Sequence, residues 1–261
     1  MLRVACAFAL MCVTSPYPAL ANPAQRDGDP RSVTQSGALP QSDPSANDQA
    51  VRGDALELAR LLNPEEPMVE LARRGFDQAF DQGLAGNGEV EELEREHPGF
   101  LAELRGATRD ALVEDLRSDM PSIHRRYARF FSARFTPDEI AELTDFYKSP
   151  AGARIIEAKF ANLDISGLVG KVAENEDAKV SAADIEAIND GATSGMWKGM
   201  TAADMKSVLL FGLRPVARKL QEAAPAIAEI ETEIANEPDS GLDAAIEAAS
   251  RKVYDRYGLA D

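Results

Sequence analysis

The sequence predicts an all-α fold, a multi-helix bundle with an internally repeated helix–break–helix unit. Three observations predict it. Apolar residues recur at helical spacing from about residue 55 onward, and no run alternates with period two between turn signals. Pro, Ser and Thr punctuate these stretches at positions that suit helix starts. Finally, Phe135-Thr-Pro-Asp-Glu-Ile140 … Phe146-Tyr-Lys-Ser-Pro-Ala-Gly152 returns 65 residues later as Met200-Thr-Ala-Ala-Asp-Met205 … Phe211-Gly-Leu-Arg-Pro-Val-Ala217. Of 21 aligned positions, only Thr136/Thr201, Phe146/Phe211 and Pro150/Pro215 are identical, so the match argues for shared architecture and names no reaction.

The chain opens with Arg3, an apolar run from Val4 to Val13, and Ala19-Leu20-Ala21. A basic start, a short apolar centre and a small-x-small site read as a secretory signal peptide over 1–21. The run is too short for a permanent membrane anchor. Cys6 and Cys12 both lie inside it, so the mature chain is expected to lack thiols and disulfides. Residues 22–50 are rich in Pro, Ser, Gln, Asp, Asn and Gly. With almost no large apolar side chains they cannot offset ordering entropy, and they read as a disordered linker. Residues 51–261 are then the all-helical domain. It admits two similar halves, about 51–175 and 176–261, joined near Glu174–Lys179.

Charge excludes some partners. The chain holds 44 acidic and 28 basic residues, a formal net charge of −16. Such a surface repels phosphate backbones and anionic membrane surfaces, so nucleic acid is a poor partner, and no segment after Val13 is apolar enough to span a membrane, so no stable membrane insertion is expected. Solubility alone accounts for an acidic balance in many proteins.

Leu56, Leu58, Leu61 and Leu62 mark the first helix. Asn63 suits a cap for the next, with Pro64 at its first position. That helix carries Met68, Leu71, Ala72, Phe76, Ala79 and Phe80 and ends in the Gly83–Gly88 region. Val90 and Leu93 mark a short helix that stops before His97-Pro98-Gly99. Phe100, Leu101, Leu104, Leu112 and Leu116 mark a longer one, and Pro121 is expected to open another with Ile123, Tyr127, Phe130 and Phe131.

Three later starts share one design. Thr136 with Glu139 forms a capping box, and Phe135 can staple onto Ile140. Ser181 with Asp184, and Thr201 with Asp204, repeat the box, stapled by Val180–Ile185 and Met200–Met205. Ser240 with Asp243 is a partial fourth case. After Thr136, the residues Ile140, Leu143, Phe146 and Tyr147 span an arc of about 120° and predict one buried face, with Phe146 in the core and Tyr147 at the edge. Ser149 stops that helix and caps the next, with Pro150 at its first position. Ile155, Ile156 and Phe160 give the following helix its apolar side. In the second copy Met205, Val208 and Phe211 repeat the face. Arg214 replaces the capping Ser, so that break should be less sharply fixed.

The stretch 135–152 resembles the signature of domain-of-unknown-function family 2059: an aromatic-Thr pair, a Glu, then Phe-Tyr-x-Ser-Pro-x-Gly. Phe135, Thr136, Glu139, Phe146, Tyr147, Ser149, Pro150 and Gly152 carry it. The resemblance implies an exported, all-helical bacterial protein, periplasmic or secreted, and implies no activity. The second copy departs from the signature, lacking its Tyr, Ser and Gly.

Residue chemistry points away from the common catalytic classes. The mature chain has two histidines, His97 in a turn and His124 beside Arg125 and Arg126, where a solvated face is expected. Neither has zinc-ligand spacing. Ser149 already has a capping role, and no Gly-x-Ser-x-Gly elbow exists. Gly83-Leu-Ala-Gly-Asn-Gly88 lacks the Lys of a phosphate loop. Glu65, Glu66, Glu91, Glu92, Glu94 and Glu96 read as solvated faces, and Glu174-Asn-Glu-Asp177 and Asn189-Asp-Gly191 do not make a calcium loop. The only tryptophan, Trp197, reads as a plug between helices or as a binding anchor.

No catalytic, cofactor or metal residue is therefore assigned, and the eight signature residues are structural with interaction as an added role. The expected function is non-enzymatic: an envelope or secreted module that binds or scaffolds another protein, with homo-oligomerisation left open. Two alternatives stand beside it. One is a carboxylate-dependent hydrolase of cell-wall or sugar substrates. The other is a carrier of a small apolar ligand.

Overall fold

A computed structural model describes residues 52–84, 87–167, 171, 179–237 and 241–259, and among them every regular element is helical. The expected signal peptide (1–21), the linker (22–50), most of the Glu174–Lys179 junction and Ser240 lie outside the described residues.

The long axis of the fold is α4 (Phe100–Arg134), 35 residues and therefore about 52 Å long. Its start is built by neighbours. Gly99 occupies the N-cap with φ +93, a left-handed conformation that only glycine adopts freely. Having no side chain there, it leaves capping to Glu94 of α3 (Gly88–Glu96), whose carboxylate accepts from the N–H groups of Gly99 (2.7 Å) and Leu101 (2.9 Å). Those backbone donors hold the Glu94 carboxyl below its usual range. The last described helix, α10 (Leu242–Tyr257), returns along α4 and pins this start. Tyr254 and Tyr257 meet Phe100 edge-on, with ring centroids 5.2 and 5.4 Å away.

Pro121 does not open a new helix. It sits inside α4 on the exposed side, where the carbonyl it leaves unbonded can take water. The sequence rule failed because Met120, Ile123, His124 and Tyr127 bury a continuous face across it.

Helix α1 (Gly53–Leu62) and helix α2 (Glu65–Leu84) pack against α4 with Ala55, Leu58, Met68, Leu71, Ala72 and Phe76 buried. Asn63 does not cap α2. It closes α1 instead, buried, with its Nδ2 donating to the Ala59 carbonyl (3.1 Å). His124 is not solvated. It is buried, its Nε2–H donates to the Asn63 carbonyl (2.8 Å), and burial pushes its pKa down, so the ring is neutral. The Arg125–Arg126 context misled because adjacent residues on a helix face different sides.

The remaining helices form two successive helix–break–helix stretches. The first is α5 (Pro137–Lys148) and α6 (Pro150–Asn162). After them come α7 (Ala182–Met196) and a turn of 3₁₀ helix at Trp197–Gly199, with Trp197 partly buried against the core. The second stretch is α8 (Ala202–Gly212) and α9 (Pro215–Ala235). All three predicted capping boxes are closed in both directions, at Thr136/Glu139, Ser181/Asp184 and Thr201/Asp204. Helix α7 packs against α6 and α9, and the Asn236 side chain after α9 clasps Val180 ahead of α7, accepting from its N–H and donating to its carbonyl.

Candidate functional site

The signature residues build one sharp corner. Ser149 alone separates α5 from α6 and serves both. Its hydroxyl donates to the Phe146 carbonyl (2.6 Å), ending α5, and accepts from the Gly152 N–H (3.2 Å), starting α6. Pro150 takes the first helical position, where no N–H is needed. The turn is so tight that a Cβ on Gly152 would lie 2.5 Å from the Tyr147 Cα and closer still to the Phe146 carbonyl oxygen. Glycine is therefore a steric requirement of the corner. Phe135 is buried, and Thr136 with Glu139 fixes the entry to α5.

The two aromatic residues exchange the roles expected of them. Tyr147 is 3% exposed and belongs to the buried face with Ile140, Leu143 and Thr144. Burial raises its phenol pKa far above the usual value. Phe146 is only partly buried. Its ring stacks on Phe211 of α8, with centroids 3.7 Å apart and planes 2° from parallel. On α8 the buried residues are Asp204, Val208 and Phe211, while Met205 faces out. The buried arc of each helix is set by where its neighbours pack, which periodicity alone does not reveal.

The two stretches touch reciprocally: α5 packs on α9, and α6 packs on α8. Lys219 of α9 donates to the Glu139 carboxylate (2.6 Å), and Arg154 of α6 donates to the Asp204 carboxylate (2.8 Å). The 65-residue offset converts Glu139 into Asp204 and Arg154 into Lys219, so these two ion pairs occupy matching positions. Lys219 and the Thr136 N–H hold the Glu139 carboxyl below its usual range. Thr201, aided by Arg154, does the same for Asp204.

A groove of about 680 Å³ opens beside the stacked rings. Its α5 wall carries Asp138, Glu142 and Asp145, and its α8 wall carries Ser207 and Leu210. Arg214 crosses it to Glu142 (2.7 Å). Past Leu210, α8 turns an apolar ridge to solvent. Leu213 is 77% exposed, Leu209 61%, Leu210 56% and Met205 39%, and these are the exposed large apolar side chains among the described residues. Sequence reading missed the ridge. The available signal was that α8 is apolar nearly all round, more than one buried face can use.

A second groove, of about 660 Å³, lies between α2 and α6. Leu61, Pro64, Pro67, Ile156 and Phe160 give it apolar walls, Tyr147 lines it, and Arg74 donates to the Phe160 carbonyl beside it (2.8 Å). Glu70 and Glu157 stand on its rim, both exposed. Among the described residues no group of three or more His, Cys, Asp or Glu side chains could hold a metal ion, and no helix is long and apolar enough to cross a membrane.

Residues 121–160 match the family described as an uncharacterized protein conserved in bacteria, DUF2059. The match takes in the end of α4, all of α5 and most of α6, and so the whole signature corner, while the α8 ridge lies beyond it. No curated protein and no solved structure matches the chain.

Proposed function

We propose that the protein is an exported, non-enzymatic helical module that binds another envelope or secreted protein through the outer face of α8. The α8 ridge carries this reading. Met205, Leu209 and Leu213 recur every fourth residue, with Leu210 beside them, so they form one contiguous strip. Exposed large apolar groups scattered singly need no explanation, but a contiguous strip marks an interaction surface. A paired-carboxylate hydrolase draws no support from either groove, because the α5 carboxylates share one wall and the α2–α6 pair is exposed.

The docking face is tested in the exporting cell with a photo-crosslinking residue at position 210. A discrete adduct is expected there and none from position 229, an exposed site on α9. The same diffuse adducts from both positions would remove the docking face. Export is tested on the same material: its N-terminus should lie at or near Asn22, and a retained Met1 would count against it.

The α2–α6 groove supports a second reading, carriage of a small apolar ligand. Its volume falls within the roughly 300–1,000 Å³ of ordinary ligand pockets, and its walls are apolar. An environment-sensitive apolar dye should brighten on binding, and Ala153→Phe should abolish the signal by filling the groove. Unchanged dye binding in that variant would reject this reading.

A further inference from the structure

Resting on the protein-binding reading above, we infer that the α5–α8 groove takes a basic amphipathic helix from the partner protein. The groove offers two unlike walls. One carries Leu210 of α8 beside the stacked rings of Phe146 and Phe211, and the exposed ridge of Leu209 and Leu213 continues past it. The other is an acidic column. Asp138, Glu142 and Asp145 follow one another on α5 at steps of four and three residues, so they share one side of that helix.

Glu142 is already engaged by Arg214. Asp138 and Asp145 are exposed and have no cation partner among the described residues. They lie two turns apart, about 10.5 Å along α5. A helix laid in the groove with its apolar stripe on α8 turns its flank toward this column. Lys or Arg residues seven apart on that flank meet Asp138 and Asp145 together. The chain's formal net charge of −16 also draws a cationic segment toward the surface. Two cations oppose it: Arg214, which crosses the groove to Glu142, and Lys206 on the exposed face of α8, between the positions of Leu213 and Leu210 around the helix.

Two other occupants fit the charge poorly. A second copy of this chain brings the same net charge and the same acidic wall. Residues 22–50 carry Arg26 and Arg31 against Asp27, Asp29, Asp43 and Asp48, with Val33 and Leu39 as their only large apolar residues. That segment has neither the stripe nor the charge.

The test uses the full mature chain and two fluorescent peptides of about 18 residues, five helical turns. Both carry Leu on one face; one carries Lys on the other face and the second carries Glu. Fluorescence anisotropy should show binding of the Lys peptide over the Glu peptide. Asp138→Asn/Asp145→Asn should weaken the Lys peptide about three- to tenfold, the range for two exposed ion pairs, and flatten its salt dependence. Lys206→Glu should tighten it. Leu209→Ser/Leu213→Ser should weaken both peptides.

Equal affinity of the Lys peptide for wild type and Asp138→Asn/Asp145→Asn would overturn the inference by showing diffuse binding to an acidic surface. Preference for the Glu peptide would overturn it too. In either case the position-210 adduct would still stand for protein docking, so the two failures are separable. Sedimentation showing a dimer that Leu209→Ser/Leu213→Ser dissolves would replace the partner helix by a second copy.

Discussion

The α5–α6 corner and the α8–α9 corner are both helix–break–helix turns, and they are held differently. In the first, one residue separates the helices, and Ser149 caps on both sides. In the second, Leu213 and Arg214 intervene, and Arg214 makes no side-chain cap. Gly152, with no room for a Cβ, has Ala217 as its counterpart, and buried Tyr147 has Gly212. The first corner is thus locked by contacts that specify every residue in it. The second has fewer such demands, and its spare position, Leu213, is the most exposed member of the ridge. Relaxing a corner leaves a helix end available as surface. The strong local motif marks where the fold is held, and the proposed contact surface lies at the looser corner.

The largest expected effect comes from the deepest difference. Tyr147→Ala should cost about 3–5 kcal/mol, the range for emptying a buried aromatic site. Gly212→Ala, at the matching position, should be neutral or slightly stabilising, because a helical glycine is worse than alanine by roughly 0.5–1 kcal/mol. Urea denaturation of both variants measures the contrast, and comparable losses would erase it.

The next contrast is steric. Gly152→Ala forces a Cβ into backbone and should cost about 1–3 kcal/mol or more. Ala217→Gly should cost only the roughly 0.5–1 kcal/mol of an added helical glycine. If thermal midpoints rank these two in the opposite order, the tightness of the first corner is not what holds it.

Capping gives a smaller difference. Ser149→Ala should lose about 0.5–2 kcal/mol, whereas Arg214→Ala should stay within about 0.5 kcal/mol, as surface changes do. A larger loss at Arg214 would show that its bond to Glu142 closes the second corner in place of a cap.

The smallest effect is shared by the two corners. The Glu139 and Asp204 carboxyls both titrate below their usual range, Glu139 chiefly through Lys219 and Asp204 chiefly through Thr201. A depressed folded-state pKa stabilises above the unfolded-state value and loses that contribution as pH falls through the folded value. Stability should therefore hold at neutral pH and decline on acidification below about pH 4. Replacing Lys219 with Met should shallow the decline, and an unaltered pH profile would remove that ion pair from the account.

Much of the local structure was legible in the sequence. The capping boxes at Thr136, Ser181 and Thr201 and the Ser149-Pro150 break were readable because each is closed by residues three or four apart. What needed tertiary contacts was not. Phe146 and Tyr147 differ by only about 100° around α5, so periodicity could not choose which one enters the core. The choice was made by α1 packing on one side of α5 and by Phe211 stacking from α8. Pro121 was misread because the cost of a mid-helix proline is local, while the burial that spans it is not. The ridge escaped notice for a related reason: Leu209, Leu210 and Leu213 look like core residues until the packing of the described helices leaves them exposed.

The most direct test of the division of labour between the corners is the adduct yield at position 210 in Leu209→Ser/Leu213→Ser, with the denaturation midpoint taken on the same protein. The ridge as a contact surface requires an unchanged midpoint and a lost adduct. A lowered midpoint with the adduct intact would make α8 part of the core and leave the contact surface elsewhere.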